Sequence, residues 1–301
     1  MSARLLSAVG ALASLMCWSA TAAAWCRTTT CDPTDNKETC EFRGECVVSG
    51  FELFWPSLCV SFAVQQDGSR LRDIPLDVVS EVVGDGYLTW LAADCGGGQH
   101  PSLRIVTQGA AICNQQIYNQ DGPNANVWMF RDDKWPYESV AGHTLALTTV
   151  TFNVDNGEIF DVDVEINSVQ NELSLDETAV KNDLPSIVAH ETGHFLGLSH
   201  SEVAAATMYK TYKTGSLDLR TLDPDDVAGI CAAYPPNRPA QTDSCSPRRG
   251  FVRECQDAPE ASCACATPVR ITENGVTALA VVVLASFVAR RRHHRRRLSA
   301  G

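Results

Sequence analysis

His190-Glu191-Thr192-Gly193-His194-Phe195-Leu196-Gly197-Leu198-Ser199-His200 places three imidazoles, one carboxylate and a turn glycine at a spacing that suits one divalent ion. With 3.6 residues per helical turn, His190 and His194 stand one turn apart on the same face, and Glu191 lies beside them. Six further helical residues would carry the third imidazole about 240° around the axis, so His200 reaches the same ion only if the chain reverses after His194. Gly197 permits that reversal, because a glycine just past a helix end takes the left-handed conformation without side-chain strain. The helix start is marked as well. Asn182 and Asp183 are capping types, Pro185 suits the first turn, and Ile187, Val188, Phe195 and Leu196 supply apolar surface. Gly193 costs about 1 kcal/mol relative to alanine inside a helix, so its presence predicts close packing near the ion.

The competing readings are a surface helix whose histidines bind nothing and a zinc that only staples the fold. A short HExxH recurs by accident, whereas the longer spacing seldom does. A structural zinc closes with four protein ligands; three histidines leave the fourth position for water, and an adjacent glutamate is what a hydrolytic centre needs there. The expected chemistry is zinc held by His190, His194 and His200, with Glu191 as general base for attack of water on a peptide bond. Two alternatives stay open: a surface binding module that keeps the zinc without turnover, and a hydrolase of cell-wall peptide amides.

These eleven residues match the metzincin signature, and Ser201 after the third histidine resembles the matrixin branch of that clan. The resemblance implies an α+β zincin domain: a twisted, mostly parallel sheet with an antiparallel edge strand, a long active-site helix and a C-terminal helix. Ala206-Thr207-Met208-Tyr209 is similar to the methionine turn that metzincins carry beneath the metal, and Tyr212 fits the tyrosine that matrixins place in the wall of their main specificity pocket. Lys210 stands where many matrixins have proline. The tyrosine that other metzincins place two residues after methionine as an extra ligand is missing. Asp223 to Ile230 resembles the last matrixin helix, with Asp223 to cap, Pro224 at the first position and Leu222 to staple onto Val227. Phe54-Trp55-Pro56 resembles the entry to the first strand, and Ile74 to Ala93 the long helix before the sheet. The similarity to matrixins also makes Thr144 to Phe152, apolar and β-branched, the edge strand that pairs with extended substrate, with Ala146 and Leu147 near the scissile bond.

Between Glu158 and Asn167, Phe160, Val162, Val164 and Ile166 alternate with Asp161, Asp163, Glu165 and Asn167. That pattern predicts a strand with one apolar and one acidic face. The acidic face has two readings: a calcium site of hard oxygens, as in related matrixins, or a solvated surface. A second, structural zinc is not expected. Outside the motif the body holds only His100 and His143, and Ile159 stands where a matrixin histidine would be. Gly96 to Gly98 lacks the spacing and lysine of a phosphate loop.

The ends differ from the body. Residues 1–24, with Arg4, an apolar stretch and Ala22-Ala23-Ala24, read as a secretory signal peptide cleaved before Trp25. Residues 25–50 read as a cysteine-rich leader, without the motif by which a propeptide cysteine keeps matrixins latent. Residues 51–236 are the expected catalytic domain and 237–273 a proline- and cysteine-containing linker. In 274–301 an uncharged run precedes six arginines, which reads as a short membrane helix with a cytoplasmic arginine cluster. With Cys263 and Cys265 ahead of it, this tail resembles the tripartite sorting signals of some Gram-negative bacteria.

Of 24 basic residues the two ends hold seven and none of the 36 acids, so residues 25–274 carry a net charge of −19. Such a body repels nucleic acid and fits an exported enzyme acting on protein or peptide. Thirteen cysteines point to the same compartment: Cys17 leaves with the signal and twelve remain for disulfides. The expected location is the cell surface or the medium, with the membrane as a partner through the C-terminal helix.

Overall fold

The computed structural model describes residues 24–35, 39–137, 144–239 and 244–255, together with the backbone of 279–288. The signal segment, His143, Cys263, Cys265 and the arginine cluster lie outside the described residues.

Strands β1 (Cys26–Arg27), β2 (Phe42–Arg43) and β3 (Cys46–Val47) belong to the leader, and β4 (Cys59–Gln65) opens the main sheet. Helix α1 (Leu76–Leu91) follows, then β5 (Arg104–Ala111), β6 (Val127–Phe130), β7 (Thr144–Asn153) and β8 (Ile159–Ile166). After the short pair β9 (Leu173–Ser174) and β10 (Asn182–Asp183) come α2 (Leu184–Phe195), β11 (Leu198–Ser199), α3 (Pro224–Ala233) and β12 (Leu279–Val288). The main sheet runs β12-β7-β8-β6-β4-β5. Neighbours from β5 to β8 are parallel, while β7 runs antiparallel to β8 and β12 antiparallel to β7. The mixed, mostly parallel sheet with three helices agrees with the α+β expectation.

In α1, Val79, Val83, Tyr87 and Trp90 recur at helical spacing and are buried, so this helix turns one apolar stripe inward. Its neighbour is α2. A Cβ on Gly86 would lie 2.7 Å from Val188 Cγ1, so this glycine sets the close approach of the two helices. The Trp90 indole donates to Ala189 O at 2.7 Å, fixing α1 against the centre of α2. As expected from sequence, Asp183 caps α2 by accepting from Ser186 N and Asp223 caps α3; Asp226 adds the reciprocal half of a capping box there.

Three expectations are corrected. Residues 279–288, read as part of a membrane helix, form strand β12 along β7, and no helix among the described residues is long and apolar enough to cross a membrane. Four valines in Leu279–Val288 favour extended backbone, and β7 offers unpaired backbone groups on that side. Consequently β7 is not the outermost strand: Leu147 pairs with Ala285 and Ala146 with Ser286. The acidic face of β8 is not solvated either, for every residue of that strand is buried. The leader and the linker are both pinned to the body. Cys26–Cys46 and Cys31–Cys40 close the leader, Cys59–Cys245 and Cys113–Cys255 hold the linker down, and Cys95–Cys231 ties the end of α1 to α3.

Candidate metal centre

Helix α2 delivers His190 and His194 from one face, and the reversal after Phe195 brings His200 back to them. Gly197, with φ at 84°, occupies the left-handed region that this reversal demands. The three ring centroids lie 4.8, 4.9 and 5.3 Å apart, and their ligand atoms all fall within 4.8 Å of one another. Among the described residues this is the one cluster of histidine, cysteine or carboxylate side chains able to hold a metal ion.

Two of the rings are oriented by carbonyls. His190 Nδ1 donates to Thr207 O at 2.6 Å and His194 Nδ1 to Leu198 O at 2.9 Å, which leaves Nε2 of each as the lone-pair donor. The Nε2 atoms of His194 and His200 are buried with no hydrogen-bond partner. Orphaned buried acceptors are costly, and a divalent cation would satisfy them, so the residues present fit zinc. Burial also keeps the rings uncharged. It pushes His194 down to about 3, aided by His200, and His200 down to about 4, aided by Lys210; His190 is driven well below the usual imidazole range in the same way. At neutral pH all three are ready to ligate.

The carboxylate is placed from the sheet. Thr148, in the middle of β7, donates its hydroxyl to Glu191 Oε2 at 2.6 Å, and both residues are fully buried. Sequence reading missed Thr148, because nothing in an apolar strand marks which threonine faces the helix. It also missed Asp226, which lies within the expected last helix without a role of its own. Asp226 accepts from Thr207 N at 2.6 Å and Met208 N at 3.0 Å, so the first turn of α3 holds the peptide whose carbonyl orients His190. Burial raises the Asp226 carboxyl to about 6 against those hydrogen bonds.

Met208 packs against α2 beside Gly193. A Cβ on Gly193 would collide with the Met208 sulfur and sit 2.8 Å from Trp90 Cζ2, which explains the glycine inside the helix. Tyr212 is fully buried. Its hydroxyl donates to Ser216 O at 2.8 Å and accepts from Asp183 N at 2.9 Å, bracing the segment after Met208 against the start of α2. Ala146 and Leu147 are buried in β7, two residues and one residue before Thr148. His100, whose Nδ1 contacts Ala93 O at 3.0 Å, stands away from the triad on a loop.

On the acidic face of β8, Glu165 and Asp163 have protein partners, while Asp161 Oδ1 is buried without one. Arg131 and the Tyr137 hydroxyl both bind Glu165, while Asp163 accepts from Val127 N at 3.0 Å and Ile117 N at 3.1 Å. Burial raises Asp163 to about 8 and Asp161, pressed by Asp163 as well, well above the usual carboxylate range.

Comparison with known proteins agrees with the geometry. Over 108 residues, 35% of this chain, it is 34% identical to the metalloendoproteinase 4-MMP of Arabidopsis thaliana and covers 29% of that protein. Against metalloendoproteinase 1-MMP of the same plant it is 35% identical over 117 residues, 37% of this chain and 29% of that protein. A shorter stretch of 56 residues, 19% of this chain, is 46% identical to human matrix metalloproteinase-20 and covers 12% of it. The chain therefore spans less than a third of the length of the relatives it matches. Residues 113–235, which hold β6 to α3 and the whole triad, match the matrixin family, and the likeness to metalloendoproteinases is confined to part of the chain.

Proposed function

We propose that the protein is an exported zinc-dependent endopeptidase. The observation that carries this reading is the convergence of three imidazoles, two buried and that of His200 half-buried, on one point beside a carboxylate held by Thr148. His190, His194 and His200 would hold zinc, which supplies the Lewis acidity that makes attack of water on a peptide carbonyl feasible near neutral pH. Glu191 accepts the proton of the attacking water and returns it to the departing amine. Thr148 keeps that carboxylate aimed, and the Thr207 and Leu198 carbonyls keep two of the rings in the ligating tautomer. Burial of Glu191 excludes bulk water from the proton path. The similarity to proteins named matrix metalloproteinases supports protein or peptide as substrate. Export is supported by five disulfides among the described residues and by the signal-like start of the sequence.

The test is cleavage of casein and of peptidoglycan fragments by the full chain, with and without a chelator, followed by restoration with zinc. Chelator-reversible cleavage of casein is the expected result. Cleavage of the peptidoglycan fragments alone would point to cell-wall amides, and a zinc-replete protein inert on both would point to a binding module.

A further inference from the structure

His200 is held differently from the other two histidines. Among the described residues nothing hydrogen-bonds to its ring, so its position depends on the backbone on either side of it. The leader grips that backbone. Strand β1 pairs with β11 immediately before His200, Cys26 opposite Ser199 and Arg27 opposite Leu198. Thr28 N donates to Gly197 O at 3.0 Å, and the Thr28 hydroxyl donates to Leu198 O at 3.1 Å, the same carbonyl that receives His194 Nδ1. Arg27, buried, adds a bond from Nε to Gly197 O at 3.3 Å. Beyond His200 the hairpin of β2 and β3 takes hold: Glu45 N donates to Glu202 Oε1 at 2.6 Å, and Lys210 donates to the Glu45 carboxylate at 2.6 and 2.7 Å. The Cys26–Cys46 disulfide joins the two grips.

We propose that the leader from Cys26 to Val47 positions the third metal ligand, with Thr28 and Glu45 as positioning residues, so that the affinity of the site for zinc depends on it. The leader lies outside the stretch that matches the matrixin family, so this role belongs to this chain's own architecture. A general stabilising role explains the observations less well. Exposed pairs such as Lys210–Glu45 add little to stability, and a two-residue strand buries little surface. Groups that orient metal ligands, in contrast, typically change metal affinity 10- to 100-fold when removed.

The inference rests on the zinc reading of the triad, and the experiment separates the two. Zinc affinity of the full chain is measured by competition with a chromophoric chelator, alongside the Tm of the metal-free protein, for wild type, Thr28→Val, Thr28→Ser, Glu45→Gln and the Cys26→Ser/Cys46→Ser pair. Thr28→Val and the cysteine pair should weaken zinc binding about 10-fold or more, Glu45→Gln should weaken it less, and Thr28→Ser should keep wild-type affinity. Wild-type affinity in both Thr28→Val and the cysteine pair, whatever their Tm, would overturn the proposal; should the cysteine pair not fold, Thr28→Val alone decides. A wild-type protein that takes up no zinc would instead sink the reading of the site.

Discussion

Two clusters of ligating side chains sit less than 45 residues apart in sequence, and only one is built for a metal. On β8, Asp161, Asp163 and Glu165 line one face, and the protein supplies partners for two of them: the Arg131 guanidinium and the Tyr137 hydroxyl for Glu165, and two backbone N–H groups for Asp163, while Asp161 Oδ1 is buried without one. At the triad, helix α2 and the turn at Gly197 bring three imidazoles together and leave Nε2 of His194 and of His200 without protein donors. What distinguishes a metal site from a polar core is therefore the convergence of several ligand atoms on one point, not the density of ligand-type residues or a single unsatisfied oxygen. Arg131, directly after β6, sets its guanidinium against Glu165 of β8 as a built-in cation where the sequence allowed calcium.

The largest effect expected at the triad follows from Glu191→Gln. Zinc content should stay at the wild-type level while the rate of peptide cleavage falls about 10²- to 10⁴-fold, the usual contribution of a positioned base. Substantial residual turnover in a zinc-replete variant would contradict the assigned role. Across the sheet, Arg131→Met tests whether the acidic face really depends on a protein cation. Leaving Glu165 buried without its cation, the Tyr137 hydroxyl alone remaining, should cost about 3 kcal/mol in urea unfolding, and millimolar calcium should not restore it. Restoration by calcium would mean that the two clusters are alike after all.

Gly193→Ala sharpens the comparison from inside α2. The added methyl meets the Met208 sulfur and the Trp90 ring, an overpacking expected to destabilise by about 1–3 kcal/mol and to weaken zinc binding with it. Thermal unfolding with and without zinc reports both. The smallest effect belongs to Asp161→Asn. Burial holds the Asp161 carboxyl well above its unfolded value of 3.8, so the folded protein keeps a proton that the unfolded chain has already released. Folding then becomes less favourable as pH rises above about 4, through the window between the two values. Asparagine carries no such penalty, so the Tm advantage of the variant over wild type should grow from pH 5 to pH 8. A difference independent of pH would show that Asp161 is not carried neutral.

Helices α2 and α3 and the triad were legible in the sequence because their signals are local. Side-chain caps place α2 and α3, and Gly197 announces the turn that returns His200; α1 was anticipated only through the resemblance of Ile74 to Ala93 to the long matrixin helix. Burial of β8 was not legible, since alternation reports two faces without saying what covers the second; here the loop around Ile117 and the Arg131 and Tyr137 side chains do so. Thr148 and Asp226 were missed for a related reason. Each acts across a long gap in sequence, 43 residues to Glu191 and 18 to Met208, and neither carries a local mark. The strand formed by Leu279–Val288 shows the limit of hydropathy: an uncharged, valine-rich run is compatible with a helix in lipid and with a strand against an open edge.

The most direct measurement is metal content after dialysis of the full chain against equal zinc and calcium, followed by metal-free buffer, with His200→Ala beside wild type. One zinc per chain, no calcium, and loss of the zinc in His200→Ala is the predicted result. Retained calcium, absence of zinc from wild type, or undiminished zinc in His200→Ala would contradict the account.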